Sequence, residues 1–202
     1  QKYLEIQPTI ITGWNTDHFD IPYLYNRTQR VLGTSVANAL SPIGEVIWSE
    51  NKNRYKIAGV SCLDYLSLYK KFTYIQQSSY RLDAIGQFEV GIGKIEYEGT
   101  LNDLYRDDIN KFIEYNLNDV VIVKAIDAKL KLIDLAMGIS HLGHIPYEDV
   151  YFSSRYLEGA MLVYMQQIGV VAPNKKFGTK YEKGEKFSGA YVKDPKPGRY
   201  DW

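Results

Sequence analysis

The feature that most limits what this chain can fold into is a β-branched run that stops on glycine and asparagine and resumes as an acid-led helix. Thr9-Ile10-Ile11-Thr12-Gly13-Trp14 is short, apolar and ended by Gly13 and Asn15, which reads as a buried strand rather than a helix. Asp20 then precedes Ile21 and Pro22, and Tyr23, Leu24, Val31 and Leu32 continue to Gly33. A carboxylate first, a proline in the first turn and a glycine after the end predict a helix. Asp20 is thereby placed at a strand-to-helix junction, beside the strand end where chemistry usually sits.

Further along, Glu45 to Trp48 and Tyr55 to Val60 flank the polar turn Glu50-Asn51-Lys52-Asn53, which predicts an antiparallel hairpin. Cys62 to Tyr65 reads as a second core strand, leading into a helix from Leu66 to Phe72, and Tyr80 to Phe88 as another short helix. The acidic, glycine-containing stretch Gly91 to Asp107 reads as surface loop. From Asp108 to Met137, apolar residues including Ile109, Ile113, Leu117, Val120 and Val121 recur at helical spacing, so one long helix closed by Gly138 is expected. Ser153 or Ser154 is expected to cap an amphipathic helix through Leu157, Met161, Met165 and Ile168 to Gly169. From Asn174 to Arg199 eight Lys and Arg face Glu182, Glu185 and Asp194, a basic tail poor in regular structure.

With 202 residues, the chain can bury a sizeable core. Lys plus Arg and Asp plus Glu balance at 24 each, so any polyanion contact must come from local patches. The single cysteine, Cys62, excludes an internal disulfide and suits a reducing compartment. No apolar run reaches membrane-span length, and no charged-then-apolar leader precedes the first strand, so a soluble, unsecreted protein is expected. Gln1 to Gln7 reads as the tail of a helix begun upstream, so a fragment is expected.

Tyr115 and Asp119 are four apart on the expected helix and share one face. Mg²⁺ or Mn²⁺ takes hard oxygen ligands, so carboxylates such as Asp20 and Asp119 brought together from distant segments suit either ion. A phenol one turn from the carboxylate can orient an attacking water. Each residue also has a purely structural reading: Asp20 as a helix cap, Asp119 as a solvated acid, Tyr115 as a core-edge aromatic. Other readings are a zinc site at His141 and His144, a stand-alone hydrolase completed by Glu5, Asp17 or Asp64, and a non-catalytic nucleic-acid-binding module using the basic tail.

Ile11 to Asn15 with Phe19 to Arg27 resembles the second exonuclease motif of family B DNA polymerases, and Tyr115-Asn116-Leu117-Asn118-Asp119 resembles their third. Leu63 to Phe72 and Ser79 to Ile85 are similar to exonuclease-domain segments of tailed-bacteriophage polymerases. Phe187 to Pro195 is similar to the element joining exonuclease and polymerase regions. The resemblance implies an α/β fold, a partial ribonuclease-H-like 3′-5′ exonuclease domain over residues 1–140 with an inserted β-hairpin. It implies a helical connector over 141–202 leading to the polymerase palm. It further implies proofreading by two-metal hydrolysis, with Asp20 and Asp119 holding Mg²⁺ or Mn²⁺ and Tyr115 positioning water. Phe19 and Asn15 would meet the primer end, and Phe187, Gly189, Ala190 and Lys193 would meet template DNA. The partners implied are single-stranded primer ends, primer-template and nucleotides, in a cytoplasmic phage protein acting in its host. The family's first motif, Asp-x-Glu, is absent from these residues, so weak metal binding and little hydrolysis are expected, together with self-association through the bare strand edge.

Overall fold

The computed structural model describes residues 2–174 together with 194, 196 and 198. Phe187, Gly189, Ala190, Lys193 and most of the basic tail lie outside the described residues. The order begins with α1 (Lys2–Ile6), β1 (Ile10–Gly13), α2 (Asp20–Leu32) and α3 (Thr34–Asn38). It continues through β2 (Val46–Ser49), β3 (Arg54–Ile57), β4 (Ser61–Asp64) and α4 (Tyr65–Phe72). The second half is helical: α5 (Leu82–Val90), α6 (Leu101–Asp107), α7 (Ile109–Leu130), α8 (Leu132–Gly143) and α9 (Ser153–Gln167).

β1 and β4 pair in parallel, with Ile10 opposite Ser61 and Gly13 opposite Asp64, so their carboxyl ends lie side by side. Side chains alternate across a strand. Leu63 and Ile10 therefore enter a core with Tyr65, Ile85, Ile122 and Ile126, while Cys62 and Ile11 enter a second one with Ile21, Tyr25 and Ile57. β2 and β3 form the expected antiparallel hairpin, turned through Asn53 at φ +48°, and β1, β4 and α2 lie close to where the sequence puts them.

Three expectations are corrected, and one helix buries a face other than its apolar stripe. The stretch expected to be loop contains α6, started by a capping box in which Thr100 N donates to Asp103 Oδ2 at 2.9 Å and Asp103 N donates to Thr100 Oγ1 at 3.3 Å. The helix expected over 108–137 is two helices, broken at Lys131, which takes the left-handed conformation at φ +54°. There Asp127 Oδ1 accepts from Ile133 N at 3.3 Å, restarting the chain as α8, and Gly138 falls inside that helix rather than ending it. The apolar stripe of α7 does not face the core: Leu117 is 60 % exposed and Val120 57 %, whereas Ile122 and Ile126 are fully buried. Gly86 sets this rotation, since α5 approaches so closely that a Cβ there would sit 2.6 Å from the Ile122 side chain. Finally, α9 begins at Ser153 with no side-chain cap and buries no residue fully. It meets α8 through backbone, with the Gly143 carbonyl against Gly159, so its stripe of Leu157 and Met161 remains exposed.

No helix among the described residues is long and apolar enough to cross a membrane.

Candidate active site

The loop from Trp14 to Phe19 leaves the carboxyl end of β1 and is held by the strand beside it. Asn15, in the left-handed region at φ +64°, and Thr16 donate their backbone N–H groups to Asp64 Oδ1 at 2.7 and 3.2 Å. Asn tolerates this conformation better than most residues. Ser67 Oγ donates to the other Asp64 oxygen at 2.9 Å, and Trp14 Nε1 donates to the Tyr80 carbonyl at 3.0 Å. So fixed, the loop delivers Phe19, 68 % exposed, and Asp20, the first residue of α2, to the surface above the strand ends.

Tyr115 and Asp119 share one face of α7, as their spacing predicts, and are joined by a third residue. Lys94 Nζ donates to Tyr115 Oη at 2.9 Å and to Asp119 Oδ2 at 3.2 Å. Its segment is pinned from two sides, Lys94 N donating to Asp83 Oδ1 at 2.8 Å and Asn118 Nδ2 to the Gly93 carbonyl at 3.1 Å. Burial alone would lower the Lys94 ammonium, but the Tyr115 hydrogen bond and the Asp119 charge outweigh it and hold it above its usual value. Asp119 Oδ1 is buried with no hydrogen-bond partner, an oxygen available to a ligand.

Asp20 belongs to the same electrostatic neighbourhood. Its carboxyl is held above the usual range, first by loss of water contact and then, against a lowering backbone hydrogen bond, by the charges of Asp64 and Asp119. The Asp119 charge thus reaches Asp20, and Tyr115 lies on the Asp119 face of α7, while Phe19 and Asn15 lie on the loop that leads to Asp20.

The acids weighed as completing the site have other partners. Glu5 pairs with Lys2 at the surface, Asp17 is buried against Arg54, and both oxygens of Asp64 are occupied by the loop and Ser67. Among the described residues no group of three His, Cys, Asp or Glu is placed to hold a metal, so His141 with His144, like Asp20 with Asp119, has no third such ligand beside it. What Asp20 and Asp119 offer is carboxylate oxygen, one of them unpartnered, a donor set that fits Mg²⁺ or Mn²⁺ rather than zinc. Sequence reasoning missed Lys94. Its only signal is a lysine between Gly93 and Ile95 in a stretch read as loop, and no spacing rule marks it.

An α/β domain with its polar site at the carboxyl ends of parallel strands, an inserted hairpin and a helical second half fits the expected ribonuclease-H-like fold. Residues 1–85 match the model of the family B DNA polymerase exonuclease domain. The chain is 34 % identical over 201 residues to the DNA-directed DNA polymerase of Escherichia phage RB69, covering 96 % of this chain and 22 % of that protein. It is 35 % identical over 197 residues to that of Enterobacteria phage T4, covering 95 % and 22 %. The solved family B DNA polymerase of Pyrobaculum calidifontis superposes with a TM-score of 0.63 at 22 % identity, over 88 % of this chain and 24 % of that one. The chain belongs to family B of the DNA polymerases, in the region of their exonuclease domain. It spans about a fifth of the length of the phage relatives it matches.

Proposed function

We propose that this chain carries part of the proofreading 3′-5′ exonuclease site of a replicative DNA-directed DNA polymerase. Asp20 and Asp119 would hold Mg²⁺ or Mn²⁺, Tyr115 would orient the attacking water, and Phe19 would pack against the unpaired 3′ base. The observation that carries this reading is the buried, unpartnered Oδ1 of Asp119, one turn from Tyr115 on α7, with the Asp119 charge reaching Asp20 from far away in sequence.

When bound, the metal ions would activate the water and neutralise charge on the scissile phosphate. The chain's own residues divide the remaining work. Lys94 donates to the Tyr115 oxygen, which leaves the phenol proton free to hold a water, and its ammonium brings positive charge to where phosphodiester oxygens would arrive. The Asp64 carboxylate fixes the loop, so that Phe19 and Asp20 meet the substrate in one geometry. On this reading residues 1–140 form the exonuclease part and 141–202 lead toward the polymerase region, where Phe187, Gly189, Ala190 and Lys193 would contact template DNA. The outer edge of β1, unpaired among the described residues, would favour self-association of the chain.

Titration with Mn²⁺ followed by electron paramagnetic resonance tests the proposal. Weak binding is expected, reduced about tenfold or more by Asp20→Asn and by Asp119→Asn alike. Binding indifferent to both substitutions would refute it. On single-stranded DNA the chain is expected to act slowly or not at all, and any degradation from the 3′ end should disappear in Asp119→Ala.

A further inference from the structure

The loop that presents Phe19 and Asp20 is tied to the hairpin as well as to β4. Asp17, 4 % exposed, receives the Arg54 guanidinium on Oδ2, and Arg54 is the first residue of β3. The next residue on each side repeats the link, His18 Nδ1 lying 3.3 Å from the Asn53 carbonyl at the hairpin turn. Asn53 is itself fixed in the left-handed region, at φ +48°, and Arg54 opposite Ser49 begins the hairpin ladder. Loop and hairpin therefore meet at two adjacent pairs, one of them a charge pair largely removed from water.

A buried carboxylate that loses the guanidinium bonded to it is strongly unfavourable, and loop and hairpin cannot separate without breaking that pair. The loop is short: Ile21 N donates to the Thr16 carbonyl and Phe19 N to that of Asn15, so displacement of Asp17 is carried directly to Phe19 and Asp20. Asp64 holds the strand end of the loop at Asn15 and Thr16, whereas the side chains of Asp17 and His18 meet Arg54 and Asn53 of the hairpin. The middle of the loop, at Asp17 and His18, is held by the hairpin.

We propose that Arg54 is a positioning residue: its pairing with Asp17 latches the hairpin to the site loop, so that the two open and close as one unit and the hairpin's placement sets that of Phe19 and Asp20. The consequence for metal and primer binding rests on the function proposed above. The latch itself does not.

Amide hydrogen exchange on the full chain, read by mass spectrometry, tests it. In the unsubstituted chain, peptides covering residues 14–21 and 46–57 are expected to open with the same protection. Arg54→Met alone strands a buried charge and can unfold the chain, so the decisive variant is Arg54→Met combined with Asp17→Asn, which removes the pair and leaves no charge behind. In that variant residues 17–21 are expected to exchange about tenfold faster or more, with residues 61–72 unchanged and equal protection of loop and hairpin lost. Arg54→Lys should restore most of it. Unaltered exchange at 17–21, or equal acceleration across the whole chain, would overturn the latch. A Mn²⁺ titration of the same variant separates the two proposals. Affinity lost about tenfold in the double variant supports positioning of Asp20, and affinity retained while exchange rises refutes that consequence. If the unsubstituted chain shows no Mn²⁺ site dependent on Asp20, the metal reading fails while exchange still decides the latch.

Discussion

Replacing Asp64 by alanine removes the carboxylate that ties the site loop to β4, and the structure sets the size of the effect. Asp64 is 1 % exposed and accepts from Asn15 N, Thr16 N and Ser67 Oγ at 2.7, 3.2 and 2.9 Å. A hydrogen bond to a charged group contributes about 1.5–3 kcal/mol, and stranding a buried donor costs a similar amount. The three do not add in full, because Asn15 and Ser67 are only partly buried and water can reach them once the carboxylate is gone. A loss of about 3 kcal/mol is expected for Asp64→Ala, and about 1 kcal/mol for Asp64→Asn, whose amide oxygen still accepts from both backbone N–H groups while its NH₂ turns to Ser67. For a chain of this size that corresponds to a Tm lower by roughly 6–12 °C and roughly 2–4 °C, respectively. Urea unfolding followed by circular dichroism measures both. Asp64→Ala costing under about 1 kcal/mol, or Asp64→Asn costing as much as Asp64→Ala, would refute the assignment of Asp64 as the anchor of the loop.

Gly86→Ala would bring a methyl group to 2.6 Å from both Ile122 Cγ2 and the Ile92 carbonyl, and a loss of about 1–3 kcal/mol by urea unfolding is expected. Ile126→Ala, at a fully buried position, should cost about 2–5 kcal/mol, while Leu117→Ala on the exposed stripe of the same helix should stay within about 0.5 kcal/mol. Lys94→Met should lower stability by no more than about 1 kcal/mol, since both partners of its ion pair are about one-third exposed, yet abolish any 3′ degradation of DNA. Because Asp20 titrates higher when folded, its contribution to stability is full below the ordinary carboxyl value and is lost as pH rises through the raised one. Asp20→Asn should remove that share of the decline in stability with rising pH.

The elements legible in the sequence are those whose local signals agree with their packing. At β1 and α2 a β-branched run, a leading acid, Pro22 and Gly33 all point one way, and the observed boundaries follow them. The reading failed where tertiary contact overrode periodicity. The stripe on α7 has helical spacing, yet the face that is buried is the one admitted by the absence of a side chain at Gly86, a fact written in another helix. The break at Lys131 has no glycine or proline to announce it, because Asp127 restarts α8 through its side chain. α6 did carry a signal, Thr100 three residues before Asp103, and it was outweighed by the acidic, glycine-bearing composition around it. Asp20, Tyr115 and Asp119, the residues proposed for the site, were singled out by spacing and family resemblance. Lys94, Arg54 and the anchoring role of Asp64 were not, because each acts through a partner brought near only by folding.

The central claim is that the carboxylates of Asp20 and Asp119 act on each other within one site. Carboxyl-carbon NMR titration of Asp20, in the unsubstituted chain and in Asp119→Asn, measures it directly. A midpoint above the ordinary aspartate value that falls when Asp119 loses its charge is the expected result. An Asp20 midpoint that is ordinary to begin with, or that does not move on substitution of Asp119, would contradict it.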